Sequence, residues 1–412
     1  MTRALPSDYA RPYRPLTARL AERVAPSGPL ELEALLATAL RRARAPSFAD
    51  PSFLPALEIL LDSMNAEARL NGVGRWLQRE RLIGNLVNRR RLEPLLPTEA
   101  EAEATPLPPL VVIAGLQRSG TTLLQRLLAA APGARSLPSW EALNPAPLPD
   151  EGPTPRRRRR TAWWARQVVR HLAPEFFAIH PIEIDEPEEE VLLADLTFES
   201  QTAEALLHVP TYAAWVEARD AEPVYRYLRR VLHLLGRARP HTHWVLKSPM
   251  HLDHLEVLAR TFPEAIIVQT HRDPRRTVPS FASLVARSRG LFSDHVSPAD
   301  IGAQWSGRIE RMVRRALAAR DRLPEARFVD VDYAALVADP VGAAAVVHER
   351  AGLPWDAGTA AALAAARERN RRGRYGRHRY HLADFALDEA SLRERFAGYA
   401  ERFLAPAAAE AE

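Results

Sequence analysis

A glycine-bearing turn stands between two apolar runs within Leu110–Leu128: Gly115-Leu116-Gln117-Arg118-Ser119-Gly120-Thr121-Thr122. Such a turn between a buried strand and a helix aims several backbone N–H groups and the positive end of the helix dipole at one point, which suits a phosphate-like anion. Four residues separate its two glycines, as in the nucleotide-triphosphate P-loop. Thr121 occupies the place of the lysine that follows the second glycine there, and Arg118 stands two residues ahead of that glycine. The missing lysine normally serves the outer phosphates beside magnesium, so the loop reads as a nucleotide site unsuited to ATP or GTP hydrolysis. Gln117, Arg118, Ser119, Gly120, Thr121 and Thr122 are its expected contacts, with no metal required. The planar guanidinium of Arg118 can take two oxygens of one anion together.

The elements that must position this loop are legible in the apolar pattern. Leu110–Ala114 and Ala265–Thr270 are β-branched-rich runs without polar alternation, as expected of parallel strands buried on both faces. Arg118 and Arg272 each fall just past the carboxyl end of such a strand, where open α/β sheets bind ligands. Trp244–Leu246 and Arg327–Val331 read as further strands, and Lys247 ends the first of these. Helices are expected from Thr121, over His251–Phe262, after Pro274 and over Val341–Arg350. That order predicts an α/β fold: a P-loop-type parallel sheet flanked by helices, occupying 106–390. Residues 1–105 read as a helical N-terminal segment, with periodic runs at Leu30–Arg42, Phe53–Leu70 and Arg75–Leu92. A helical insert over about 141–236 carries Trp163, Trp164, Phe176, Phe177, Tyr212 and Trp215 and is the expected acceptor-side wall and lid. Residues 391–412 read as a C-terminal helix and tail.

Composition bounds the classes. The 412 residues are 47% hydrophobic and 26% charged, ordinary for a globular protein with an ample core. No stretch reaches the eighteen or so apolar residues of a membrane span, and Met1–Pro15 lacks the apolar centre of a signal peptide. A cytoplasmic location is expected. The absence of cysteine excludes disulfides and thiolate metal sites. The net charge of +5 is concentrated in Arg156–Arg160 and Arg369–Arg379. Pro153 and Pro155 precede the first run and no aromatic residue interleaves with it, so it reads as a solvated loop rather than a nucleic-acid surface.

Arg118-Ser119-Gly120-Thr121-Thr122 resembles the 5′-phosphosulfate-binding loop of sulfotransferases that use 3′-phosphoadenosine 5′-phosphosulfate, PAPS. A second part of the resemblance lies in Arg272, at a strand end, and Ser280, eight positions later, which match the family's 3′-phosphate pair. A third is Lys247 before Ser248-Pro249, similar to the Lys-x-Pro strand end of the tyrosylprotein-type enzymes. The resemblance spans about Leu110–Phe385, and implies sulfuryl transfer from PAPS to a hydroxyl of a hydrophobic, aromatic or lipid acceptor, yielding adenosine 3′,5′-bisphosphate. Arg118 and Lys247 are then the positive charges on the transferring group. Arg371-Arg372-Gly373-Arg374-Tyr375-Gly376-Arg377 looks like the basic loop that closes over the 3′-phosphate, giving Arg372, Gly373 and Arg377 as further contacts.

Two residues are candidates for the general base that must reach the acceptor hydroxyl. Glu141 follows the first helix, close to where tyrosylprotein sulfotransferases carry a glutamate, and is placed ahead of His180, which precedes the acidic Glu186–Glu190 run. That run reads as a helix start favoured by the dipole. A P-loop kinase-like enzyme and a non-catalytic nucleotide-binding protein are the alternatives. Oligomeric state is not legible.

Overall fold

The computed structural model describes residues 9–404 except 11, 26–27, 149, 153, 181 and 371–379. Five parallel strands form its sheet: β1 (Leu110–Ile113), β2 (Ala134–Arg135), β3 (His243–Lys247), β4 (Ala265–His271) and β5 (Phe328–Asp332). Their order in space is β2-β3-β1-β4-β5. β1 is central: Leu110 to Ile113 pair in register with Trp244 to Lys247 on one side and with Ala265 to Val268 on the other.

All four β1 side chains are buried, and they alternate between two apolar cores. Leu110 and Val112 join Leu246, Ile267 and the helix Glu222–Arg237 on one face. Val111 and Ile113 join Val245, Val268, Leu124 and Leu128 on the other. Burying each such side chain is worth about 1.5–3 kcal/mol relative to exposure. This explains why the strand is apolar without alternation. The chain leaves β1 for β2 and β3 on one side and then crosses from β3 to β4 and β5 on the other, so a crevice opens at the carboxyl end of β1.

The expected strands are present within a residue or two of their predicted ends. The expected helix over His251–Phe262 is instead a tight turn, Pro249–Asp253, then a helix over Leu255–Thr261. Ser248 accepts from the Met250 amide at 3.3 Å and starts that turn. A long helix, Pro298–Arg320, lies between β4 and β5 and packs along Pro274–Phe292. The arginine run is not a loop: Arg156–Leu172 is one helix, entered from Pro155. Helices in the N-terminal part, Leu32–Ala43, Leu54–Ala66 and Gly72–Leu92, share an apolar core with Phe198, Leu207 and Tyr212 of the insert. Two helices, Glu389–Arg395 and Ala397–Phe403, close the described chain.

Candidate active site

The turn after β1 is built by contacts that admit few residue types. A Cβ on Gly115 would overlap Thr270 Oγ1 at the end of β4. Gly120 has φ +89°, and Arg118 sits in the same left-handed region at φ +69°. A non-glycine residue there is uncommon and carries some strain. The Ser119 hydroxyl, fully buried, donates to the Leu116 carbonyl at 2.5 Å and lies 2.6 Å from Thr270 Oγ1. It therefore braces the turn from within. The helix Thr121–Leu128 follows with Gly120 at its N-cap and no side-chain cap, and its first internal bond is Leu124 N–H to the Gly120 carbonyl. The amides of its first turn are thus open toward the crevice.

The two halves of the sequence motif meet here. Arg118 Nε donates to Ser280 Oγ at 3.1 Å, and Arg272 Nη1 donates to the Arg118 carbonyl at 2.8 Å. The Arg272 guanidinium lies 4.0 Å over the Tyr333 ring, at the first residue after β5. Asp273 caps the helix carrying Ser280, accepting from Arg275 N–H at 2.8 Å. Among the described residues no carboxylate pairs with Arg118 or Arg272. Burial pulls the Arg118 guanidinium below its ordinary value, and neighbouring Arg272 pulls the same way. Gln117, nearly buried in the loop, has an Oε1 without a partner among the described residues. Two converging cations, an orphaned polar atom and open helix amides make a cradle for an anion bearing more than one phosphate-like group.

Lys247 ends β3 beside this cradle, buried, with its ammonium ion-paired to Glu189. Fully buried Glu190 accepts from the Lys247 N–H at 2.8 Å and contacts His251 Nε2 at 2.6 Å, while His251 Nδ1 lies 2.7 Å from the Tyr225 hydroxyl. The acidic run therefore partners the β3 terminus and does not act simply as a helix start. Reading the sequence missed Glu189, Glu190, His251 and Tyr333; the signal was present as acids beside a buried cation, but their pairing needs the fold.

His180 ends the helix Pro174–Ile179, donating its backbone N–H to the Phe176 carbonyl at 2.8 Å. Burial lowers the pKa of its imidazole; Glu188 and Glu189 pull up, and Lys247 and Arg118 pull down again. The charges that act on the ring are thus those around the cradle. Glu141 is placed differently. Its carboxylate, 3% exposed, is ion-paired to Arg135, whose guanidinium lies 5.1 Å over the Trp244 ring at the start of β3 rather than at its end. The expectation that placed Glu141 on the acceptor side thus gives way to a buried ion pair at the sheet edge. Arg372, Gly373 and Arg377 lie outside the described residues. No group of three or more His, Asp or Glu among the described residues is placed to hold a metal.

Residues 109–357 match the model of the sulfotransferase family, and the chain belongs to that family. Among solved structures, sulfotransferase STF1 from Mycobacterium tuberculosis H37Rv is 32% identical, with a TM-score of 0.72 over 90% of this chain and 99% of that one. Sulfotransferase STF9 from Mycobacterium avium shares the fold at 23% identity, with a TM-score of 0.80 over 92% of this chain and 97% of that one. The search of curated proteins found no match. The chain is accordingly an α/β transferase of sulfuryl groups. No described helix is long and apolar enough to cross a membrane.

Proposed function

We propose that the chain transfers a sulfuryl group from PAPS to the hydroxyl of a hydrophobic or aromatic small molecule or lipid. The observation that carries this reading is the convergence of Arg118, Arg272 and Ser280 on one anion-shaped cradle without a carboxylate to neutralise it. The donor supplies the sulfuryl group and leaves as a bisphosphorylated nucleoside. Arg272 and Ser280 hold the 3′-phosphate, and the Gly115–Thr122 loop holds the 5′ side through its amides. Arg118 and Lys247 provide fixed positive charge where negative charge gathers in the transition state. Glu189 orients the Lys247 ammonium, and Glu190 fixes the end of β3 through the Lys247 amide.

His180 is the general base in this reading, in place of Glu141. An imidazole must be neutral before it can take the acceptor proton, and burial keeps the His180 ring neutral to lower pH than usual. Glu188 and Glu189 then stabilise the imidazolium that forms.

The nucleotide preference tests the assignment. Titration calorimetry without metal is expected to show adenosine 3′,5′-bisphosphate binding at least tenfold more tightly than ADP, since each charge-assisted hydrogen bond to the 3′-phosphate contributes about 1.5–3 kcal/mol. Arg272→Ala is expected to erase most of that difference while ADP affinity holds. Equal affinities in the unaltered protein, or dependence on magnesium, would overturn the reading in favour of a kinase-like site.

A further inference from the structure

The helix Arg156–Leu172 buries only Ala162 among its seventeen residues. Its outward face is an unusual mixture. Trp163 and Trp164 are 41% and 59% exposed, with ring centroids 4.8 Å apart in an edge-to-face pair. Arg158, Arg159 and Arg166 are ion-paired to Glu151, Asp185 and Glu183 and so tie the helix to its neighbours. Arg156, Arg157 and Arg160 have no carboxylate partner among the described residues and are exposed. Arg157, Arg160 and Trp164 fall at i, i+3 and i+7, one stripe of a helix surface, with Arg156 and Trp163 beside it. The positive field extends beyond the helix: burial first, then the charges of Arg44 and Arg157, pull the Arg91 guanidinium down.

We infer that this helix docks the protein on an anionic lipid surface, with Trp163 and Trp164 seated at the headgroup level and Arg156, Arg157 and Arg160 on lipid phosphates. Tryptophan carries an apolar body with a polar N–H and partitions to the boundary between water and hydrocarbon. Arginine beside it gains attraction to the negative leaflet. Seventeen residues offer about 25 Å of contact lying flat. A nucleic acid fits less well, because stacking bases on these rings would break the edge-to-face pair. The helix leads directly into Pro174–Ile179 and His180, and Arg166 Nε donates to the Ile182 carbonyl at 2.7 Å. Docking places the lipid surface on the helix that precedes the segment carrying His180. A lipid among the acceptors rests on the proposed reaction; the docking itself does not.

Sedimentation of the full chain with vesicles tests it. Vesicles of phosphatidylcholine containing a third phosphatidylglycerol are expected to pull the protein down, pure phosphatidylcholine to leave it in solution, and salt to weaken the binding. Arg156→Gln with Arg157→Gln and Arg160→Gln should weaken binding on the order of 10²-fold, at about one factor of five per arginine. Trp163→Ala with Trp164→Ala should weaken it at least tenfold. Both variants should keep the unaltered melting temperature and affinity for adenosine 3′,5′-bisphosphate, since these exposed residues support neither core nor cradle. Binding equally to neutral vesicles, failing to bind anionic ones, retaining vesicle affinity in both variants, or binding duplex DNA more tightly than vesicles would each overturn the inference.

Discussion

His180 and Glu141 show how burial and partnership divide two ionisable groups of similar promise. Glu141 is held by Arg135 through one carboxylate oxygen, in a pair that water scarcely reaches. Among the described residues His180 has no ion-paired carboxylate, and the charges that act on its ring are those of Glu188, Glu189, Lys247 and Arg118. His180→Asn is therefore expected to lower turnover by 10² or more with nucleotide affinity unchanged. Glu141→Ala is expected to act on stability, by about 3–5 kcal/mol, because it strands a buried guanidinium. Steady-state rates corrected for folded fraction separate the two, and a near-normal His180→Asn rate beside a collapse in Glu141→Ala would reverse the assignment. The pH profile carries the same sign. With the His180 pKa lowered, turnover should hold to below its ordinary value near 6.5 and fall only as the ring protonates. The choice between these residues was not legible in the sequence. Arg118 and Arg272 fall just past strand ends, Lys247 on one, and Ser280 on the helix after β4, because chain position alone fixes a backbone there. The direction of the Glu141 side chain depends on Arg135, which sits on a two-residue strand too short to leave a periodic trace.

The strand–turn–helix unit from Leu110 to Leu128 depends on close approach of two strand ends. Gly115 leaves no room for a side chain beside Thr270, and Thr270 in turn holds the Ser119 hydroxyl. Gly115→Ala is expected to push β1 and β4 apart at their carboxyl ends and open the Arg118–Ser280 contact. Overpacking of this kind typically costs about 1–3 kcal/mol. Affinity for adenosine 3′,5′-bisphosphate should fall at least tenfold in calorimetry, with the melting temperature lowered. A variant that binds as tightly as the unaltered chain would show that the turn tolerates displacement and that the glycine is incidental. Elements of this sort were readable, since a continuous apolar run and a glycine turn each have a direct physical cause. Others were not. Proline ahead of Arg156–Arg160 suggested a loop, yet proline is also favourable at a helix entry, and the local pattern does not distinguish the two. The helix Pro298–Arg320 opens with a Ser297 cap on the Asp300 amide, a start signal present in the sequence and passed over.

At the scale of the whole molecule, a charged knot joins the core under the sheet to the core that the insert shares with the N-terminal helices. Asp253, in the turn after β3, accepts from Arg308 at 3.0 and 2.6 Å and from Arg315 at 2.9 Å, both on the helix Pro298–Arg320. Gln201 of the insert donates to it at 2.6 Å, and Glu217, also of the insert, joins Arg308, Arg311 and Arg315. The sheet, the long helix and the insert thus meet at one carboxylate with no exposed side-chain surface. Burial alone would raise the Asp253 pKa, but hydrogen bonds and charge from Arg308, with His254 and Arg315, hold it below the usual range. A carboxylate depressed in the folded state contributes stability above its unfolded value, near 3.9, and loses it as pH falls through the depressed folded value. Asp253→Asn removes that contribution and leaves Arg308 short of its principal partner. The variant should melt well below the unaltered protein at pH 7, with a stability gap of about 3 kcal/mol. The gap should narrow steadily below pH 4, because acid removes from the unaltered chain the charge that the substitution has already removed from the variant. Calorimetric melting of both proteins from pH 7 to pH 3 measures it. A gap constant across that range would assign the loss to shape and hydrogen-bond geometry, and an absent gap at pH 7 would show that Glu204 and Glu217 neutralise Arg308 without Asp253.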